Sequence, residues 1–93
     1  MDKDGYPDDL ELETIRTWDC NDFHGLMAYV HELWKYADCG YWKQDEDVYH
    51  ISTGGWSGNE DIIAAMNKNE MFWTLRWCSS KRGGHYVFAS CMI

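Results

Sequence analysis

Val48-Tyr-His-Ile-Ser-Thr-Gly-Gly-Trp-Ser-Gly-Asn-Glu60 changes its hydrophobic period half-way, and that change decides the fold class. Val48–Thr53 reads as an extended run, Gly54-Gly55-Trp56 breaks it, and Ser57-Gly58-Asn59-Glu60 has the spacing of a capping box. A helix of about ten residues is expected next, burying Ile62, Ile63 and Met66. A strand running straight into a helix makes this a mixed domain.

Working back toward the N-terminus, Tyr41–Gln44 forms a second extended run, joined to Val48–Thr53 by a three-residue loop, Asp45-Glu46-Asp47. Before Gly40, the residues Phe23, Leu26, Val30, Leu33, Trp34 and Ala37 recur at helical spacing, which predicts a helix from about Asp22 to Ala37. Asn21 or Asp19 is expected to cap its start and Gly40 to end it. The apolar positions of Leu10–Trp18 fit a short helix or an extended segment about equally and are read as a helix, and Met1–Asp9 is expected to be an acidic arm, mobile or loosely docked. Working forward, Met71–Cys78 and His85–Met92 alternate as two strands around a turn at Ser79–Gly84. The expected fold is therefore α+β. It has a small, mostly antiparallel four-stranded sheet with helices packed on one face, in the order α-α-β-β-α-β-β.

The 93 residues are enough for one domain. Six tryptophans, six tyrosines and three phenylalanines are a large aromatic load for that length, each ring able to bury about 150–250 Å². Rings beyond the needs of the core would have to be covered by something else, which points to a homodimer or another partner. No apolar run reaches the ~20 residues that span a bilayer, so no membrane insertion is expected. The polar N-terminus is unlike a secretory signal, and Cys20, Cys39, Cys78 and Cys91 read as reduced thiols of a cytoplasmic protein.

A net charge of −8 argues against general nucleic-acid binding. The distribution is more informative than the total. Asp2, Asp4, Asp8, Asp9, Glu11, Glu13, Asp19 and Asp22 crowd the N-terminal segment, whereas Met71–Ile93 has Arg76, Lys81 and Arg82 and no carboxylate. A basic island in an acidic chain is a place to hold an anion.

Two glycine-rich turns, Thr53–Glu60 and Ser79–His85, concentrate the groups suited to that task. Gly54 and Gly55 allow close backbone approach, and the following helix start offers N–H donors. Trp56 is placed to stack on a ring, with Ser57 and Asn59 as hydrogen-bonding groups. In the second turn Ser80 adds a hydroxyl, while Arg82 and His85 can meet negative charge. If the turns lie side by side they form one pocket for a small anionic, nucleotide-like ligand, with no cofactor required. Neither turn matches a phosphate-binding loop or a dinucleotide fingerprint. Cys78 or Ser79 could pair with His85 as nucleophile and base, oriented by Glu60, yet no motif assigns these roles and a non-enzymatic protein is expected. Cys20, His24, His31 and Cys39 fit no common zinc spacing, so no metal is expected. The acidic N-terminal residues Asp8, Asp9, Glu11 and Glu13 offer an alternative: docking on a basic protein partner.

The string Ile51–Glu60, followed by Phe72-Trp73, Trp77, Ser79-Ser80, Arg82–Tyr86 and Phe88, resembles a family of short tailed-phage and prophage proteins. The likeness spans about Tyr41–Phe88 and brings no residue roles with it. It implies a small protein made in the cytoplasm of an infected bacterium. Such a protein would blunt host defence either by sequestering a nucleotide signal or by gripping a defence protein.

Overall fold

The computed structural model of the protein describes residues 5–35, 37 and 40–89. The elements follow in the order α1 (Asp9–Arg16), α2 (Phe23–Leu33), β1 (Trp42–Asp45), β2 (Val48–Ser52), α3 (Ser57–Lys68), α4 (Glu70–Arg76), β3 (Trp77–Lys81) and β4 (His85–Ala89). The strands form one antiparallel sheet in the order β1-β2-β4-β3. This is the expected α+β architecture, with one helix more than the sequence pattern suggested.

Of the expected arm over Met1–Asp9, residues 1–4 lie outside the described residues, and residues 5–9 are built into the body. Asp8 Oδ1 accepts from the Glu11 N–H at 2.8 Å while Glu11 Oε1 accepts from the Asp8 N–H at 3.0 Å, a reciprocal cap. Glu13 holds Arg16 at 2.7 Å. Three of the four carboxylates considered for docking on a basic partner are thus engaged within α1. Residues 5–7 lie against the domain, where Tyr6 packs on Trp56 with ring centroids 4.7 Å apart.

Helix α2 is capped by Asp22, whose side chain accepts from the Gly25 N–H, rather than by Asn21 or Asp19. It ends a turn before the expected Ala37, and the cause is Asn59. The Lys35 N–H, which would continue the helix by donating to His31, donates instead to Asn59 Oδ1 at 3.0 Å. The Trp34 indole N–H then ties the helix end to the Ser52 carbonyl at 3.1 Å.

Met71–Arg76 is helical, which corrects the expected strand over Met71–Cys78. This stretch is almost continuously apolar, so alternation and helical spacing both fit it. Tertiary partners select the helix: Phe72 and Arg76, four apart, both pack on Phe23, and Trp73 stacks on Trp77 at 6.0 Å. Asn69, between α3 and α4, donates to the Ile15 and Trp18 carbonyls at 3.0 Å each, joining that bend to the end of α1.

The core lies between the helices and one face of the sheet. Tyr49, Ile51 and Phe88 point into it from the strands, and Ile15, Leu26, Val30, Ile62, Met66 and Phe72 meet them from the helices. Residues one step along each strand point to the other face. Among the described residues no helix covers that face.

Candidate functional site

The two glycine-rich turns lie side by side. The Thr53 N–H donates to the Gly84 carbonyl at 3.0 Å, and Ser52 is directly opposite His85 in the β2–β4 ladder. The approach is close enough that a Cβ on Gly84, whose φ is +78°, would collide with the Thr53 hydroxyl. Gly54, at φ +63°, accommodates the ring of Tyr41 in the same way.

Not all the expected site residues face this junction. Gly54, Gly55, Arg82 and His85 are exposed there. Trp56 folds back over Gly58, in contact with Tyr6 and with the Lys35 ammonium, 4.5 Å from the ring. Its stacking partners are therefore residues of this chain. Ser57 does not cap α3: its hydroxyl donates to the Tyr6 hydroxyl at 3.2 Å, and the expected capping box is absent. Asn59 is fully buried, and its amide is engaged with the Lys35 backbone and the Thr53 carbonyl, which makes it a structural staple and not a ligand group. Ser80 accepts from the Trp77 indole N–H at 2.8 Å. A register shift between Trp77 and Ser79 places Trp77 and Ser80 on the helix-side face, away from His85.

Beside His85 and Lys81 the sheet brings forward Lys43, His50 and Ser52, which the sequence reading passed over. On the uncovered face, Lys43 pairs with His50 and His50 with Val87, while Ser52 pairs with His85 and His85 with Lys81. With strands about 4.8 Å apart and residues about 3.4 Å along each, these rows make a patch of roughly 14 by 7 Å. They surround a concavity of about 320 Å³ lined by Lys43, His50, Ser52, Lys81, His85 and Val87, among others, with no carboxylate in the lining. Val87, half buried, gives it an apolar floor.

Two loop lengths produce this arrangement. A three-residue loop at Asp45–Asp47 would pair Lys43 with Tyr49 and turn it inward. The actual loop is Glu46-Asp47, with Asp45 opposite Val48 and Glu46 at φ +57°, so Lys43 sits opposite His50. Likewise β3 runs on to Lys81, leaving Arg82-Gly83-Gly84 as the turn and placing Lys81 rather than Cys78 across from His85. Arg76, the third member of the basic island, stacks on Phe23 at 5.2 Å on the helix side.

Ser52 Oγ lies 2.6 Å from His85 Nδ1. When the hydroxyl donates to Nδ1, the ring proton sits on Nε2 and can be donated to an anion. Neither Cys78 nor Ser79 is opposite His85; Ser79 pairs with Val87, and the Cys78 thiol lies 3.7 Å from the Arg76 carbonyl. On the helix side the Tyr49 hydroxyl is 2.8 Å from His24 Nδ1, and His24 Nε2 is 3.3 Å from Asp47. Burial, and secondarily the Asp47 charge, push the Tyr49 phenol above its ordinary value, which suits a hydrogen-bond donor and not a nucleophile. Cys20 and Cys78 are free thiols, and Cys39 and Cys91 lie outside the described residues. Among the described residues no three His, Cys, Asp or Glu side chains gather as metal ligands. Among them, too, no helix is long and apolar enough to cross a membrane.

Comparison of the chain with protein-family models, with curated proteins and with solved structures finds no match.

Proposed function

We propose that this is a non-enzymatic binding protein for a small anionic ligand of the nucleotide class, held on the uncovered sheet face beside the two glycine turns. One observation carries the reading: in a chain of net charge −8, the concavity on that face is lined by Lys43, Lys81, His50 and His85 and by no carboxylate. Clustered donors with no carboxylate among the lining residues favour phosphate or pyrophosphate oxygens. Val87 and the imidazole faces offer a surface for a base or ribose. Arg82, exposed in the adjoining turn, adds positive charge beside it. A role in removing such a ligand from solution during infection, as a sponge for a defence signal, draws on the likeness to short phage proteins.

Calorimetric titration with ADP-ribose, cyclic mononucleotides, cyclic dinucleotides and pyrophosphate tests the proposal. At least one should bind, and Lys81→Ala or His85→Ala should each weaken it by about tenfold, the loss of one charge-assisted hydrogen bond. Binding should also weaken with added salt. Trp56→Ala should affect folding stability more than affinity, because that ring is already stacked on Tyr6. No binding across the panel would defeat the reading, as would an affinity unchanged in the Lys43→Ala/Lys81→Ala double variant.

A further inference from the structure

A second concavity, of about 400 Å³, lies on the other side of β1, in the seam between that strand and α2. Its lining has a different character. Met27 and Ala28 supply an apolar wall, Trp42 and Tyr49 supply rings, and Glu32 and Gln44 supply oxygens. No lysine or arginine lines it, and Glu32, exposed, brings its only carboxylate.

From this chemistry we infer that the groove between α2 and β1 receives an arginine side chain from a basic segment of a protein partner. Three observations fit a guanidinium better than any other group. Trp42 is only half buried, its other contacts being edge-on with His31, Trp34 and Tyr49 at 4.9, 5.8 and 6.0 Å, and indole is the best aromatic surface for a cation. The Glu32 carboxylate provides two acceptor oxygens for the planar guanidinium fork. Gln44 donates its amide N–H to the Glu46 carbonyl at 3.1 Å, which leaves its own side-chain oxygen as an acceptor. Of the acids that follow Gln44, Asp45 lies opposite Val48 on the other face of the sheet and Asp47 is 3.3 Å from His24, so the charge in the groove itself is that of Glu32. The Glu32 charge favours a cation there over the phosphate class of ligand proposed for the opposite face. The partner is therefore a polypeptide with an exposed arginine in a basic stretch. Its site is separate from the anion site and does not depend on it.

The test uses a capped Gly-Arg-Gly peptide and its citrulline counterpart, which keeps the shape and removes the charge, titrated into the whole chain and followed by amide and indole NMR. The arginine peptide should shift the Trp42 indole and Gln44 amide resonances saturably, and the citrulline peptide should bind at least about tenfold more weakly. Glu32→Gln should weaken the arginine peptide by about tenfold, the effect of one charge-assisted hydrogen bond. Lys81→Ala, on the other face, should leave it unchanged. Asp9→Asn with Asp61→Asn removes two exposed acids elsewhere and should cost little. Equal binding of the citrulline peptide would overturn the inference. So would an Asp9/Asp61 loss as large as that of Glu32→Gln, or shifts that map away from Trp42 and Gln44.

Discussion

Tyr49 joins two environments, with its ring in the core against Phe23 and its hydroxyl on His24. Its pKa is raised in the folded protein by burial first and by Asp47 second, so the native state holds the phenolic proton more tightly than the unfolded chain does. The stabilisation linked to that proton is fully present below the unfolded value, about 10, and is lost as pH rises through the higher folded value. Unfolding free energy measured by urea titration should therefore fall as pH climbs beyond about 10. Tyr49→Phe should show a shallower fall over the same range. A variant with an undiminished slope would assign the alkaline loss to other groups. At this scale the sequence was partly legible. His85 lines the open-face concavity and Arg82 is exposed in the neighbouring turn, whereas Asn59 is buried and Trp56 packs on Tyr6. A polar side chain in a glycine turn looks the same in sequence whether its amide meets a ligand or the backbone of a helix end.

The elements are held in place by such internal contacts. Asn69 is buried at the bend between α3 and α4, and its side chain satisfies two carbonyls at the end of α1. Asn69→Ala should destabilise the protein by about 1–3 kcal/mol by leaving those acceptors without their donor. The denaturant midpoint should fall with the slope unchanged. Asn69→Asp should cost more than alanine, since it aims carboxylate oxygens at carbonyl oxygens. If alanine proves neutral, water must replace the amide and the bend is held by packing alone. Element existence was legible for α2, α3 and the first hairpin, where period and glycine breaks agree, whereas the apolar positions of α1 fitted a helix and an extended segment equally. It was not legible for α4: Met71-Phe-Trp-Thr-Leu-Arg-Trp77 satisfies both periods, and only contact with Phe23 and Phe88 chooses between them.

At the scale of the molecule, nine of the described aromatic residues form one network, beside the separate pairs Tyr6–Trp56 and Trp18–Tyr29. It runs from Trp34 through Trp42, Tyr49, Phe23, Phe72 and Phe88 to Trp73, which also meets Trp77 and Tyr86. A homodimer would be needed to cover rings that the fold leaves bare, and most of these rings cover one another. Large apolar side chains left exposed among the described residues are Leu10, Met71 and Trp77, which are separate positions in the chain. Sedimentation equilibrium at micromolar concentration should therefore return the mass of one chain. A mass of two chains that reverts with Trp77→Ser would instead place a dimer at the β3 edge.

Local sequence determined the mixed class, the strand-to-helix switch at Gly54–Ser57, the sheet-and-helix order in outline and the concentration of cations after Met71. Each of these depends on the conformation of a few neighbouring residues or on composition alone. Tertiary structure decided which side chains share a face. Lys43 joins His50, and Lys81 joins His85, because one loop is a residue shorter than its composition implied and the other starts later. Side chains alternate across a strand, so a slip of one residue exchanges the core face for the open one. Register depends on partners distant in sequence, and no local pattern carries that information.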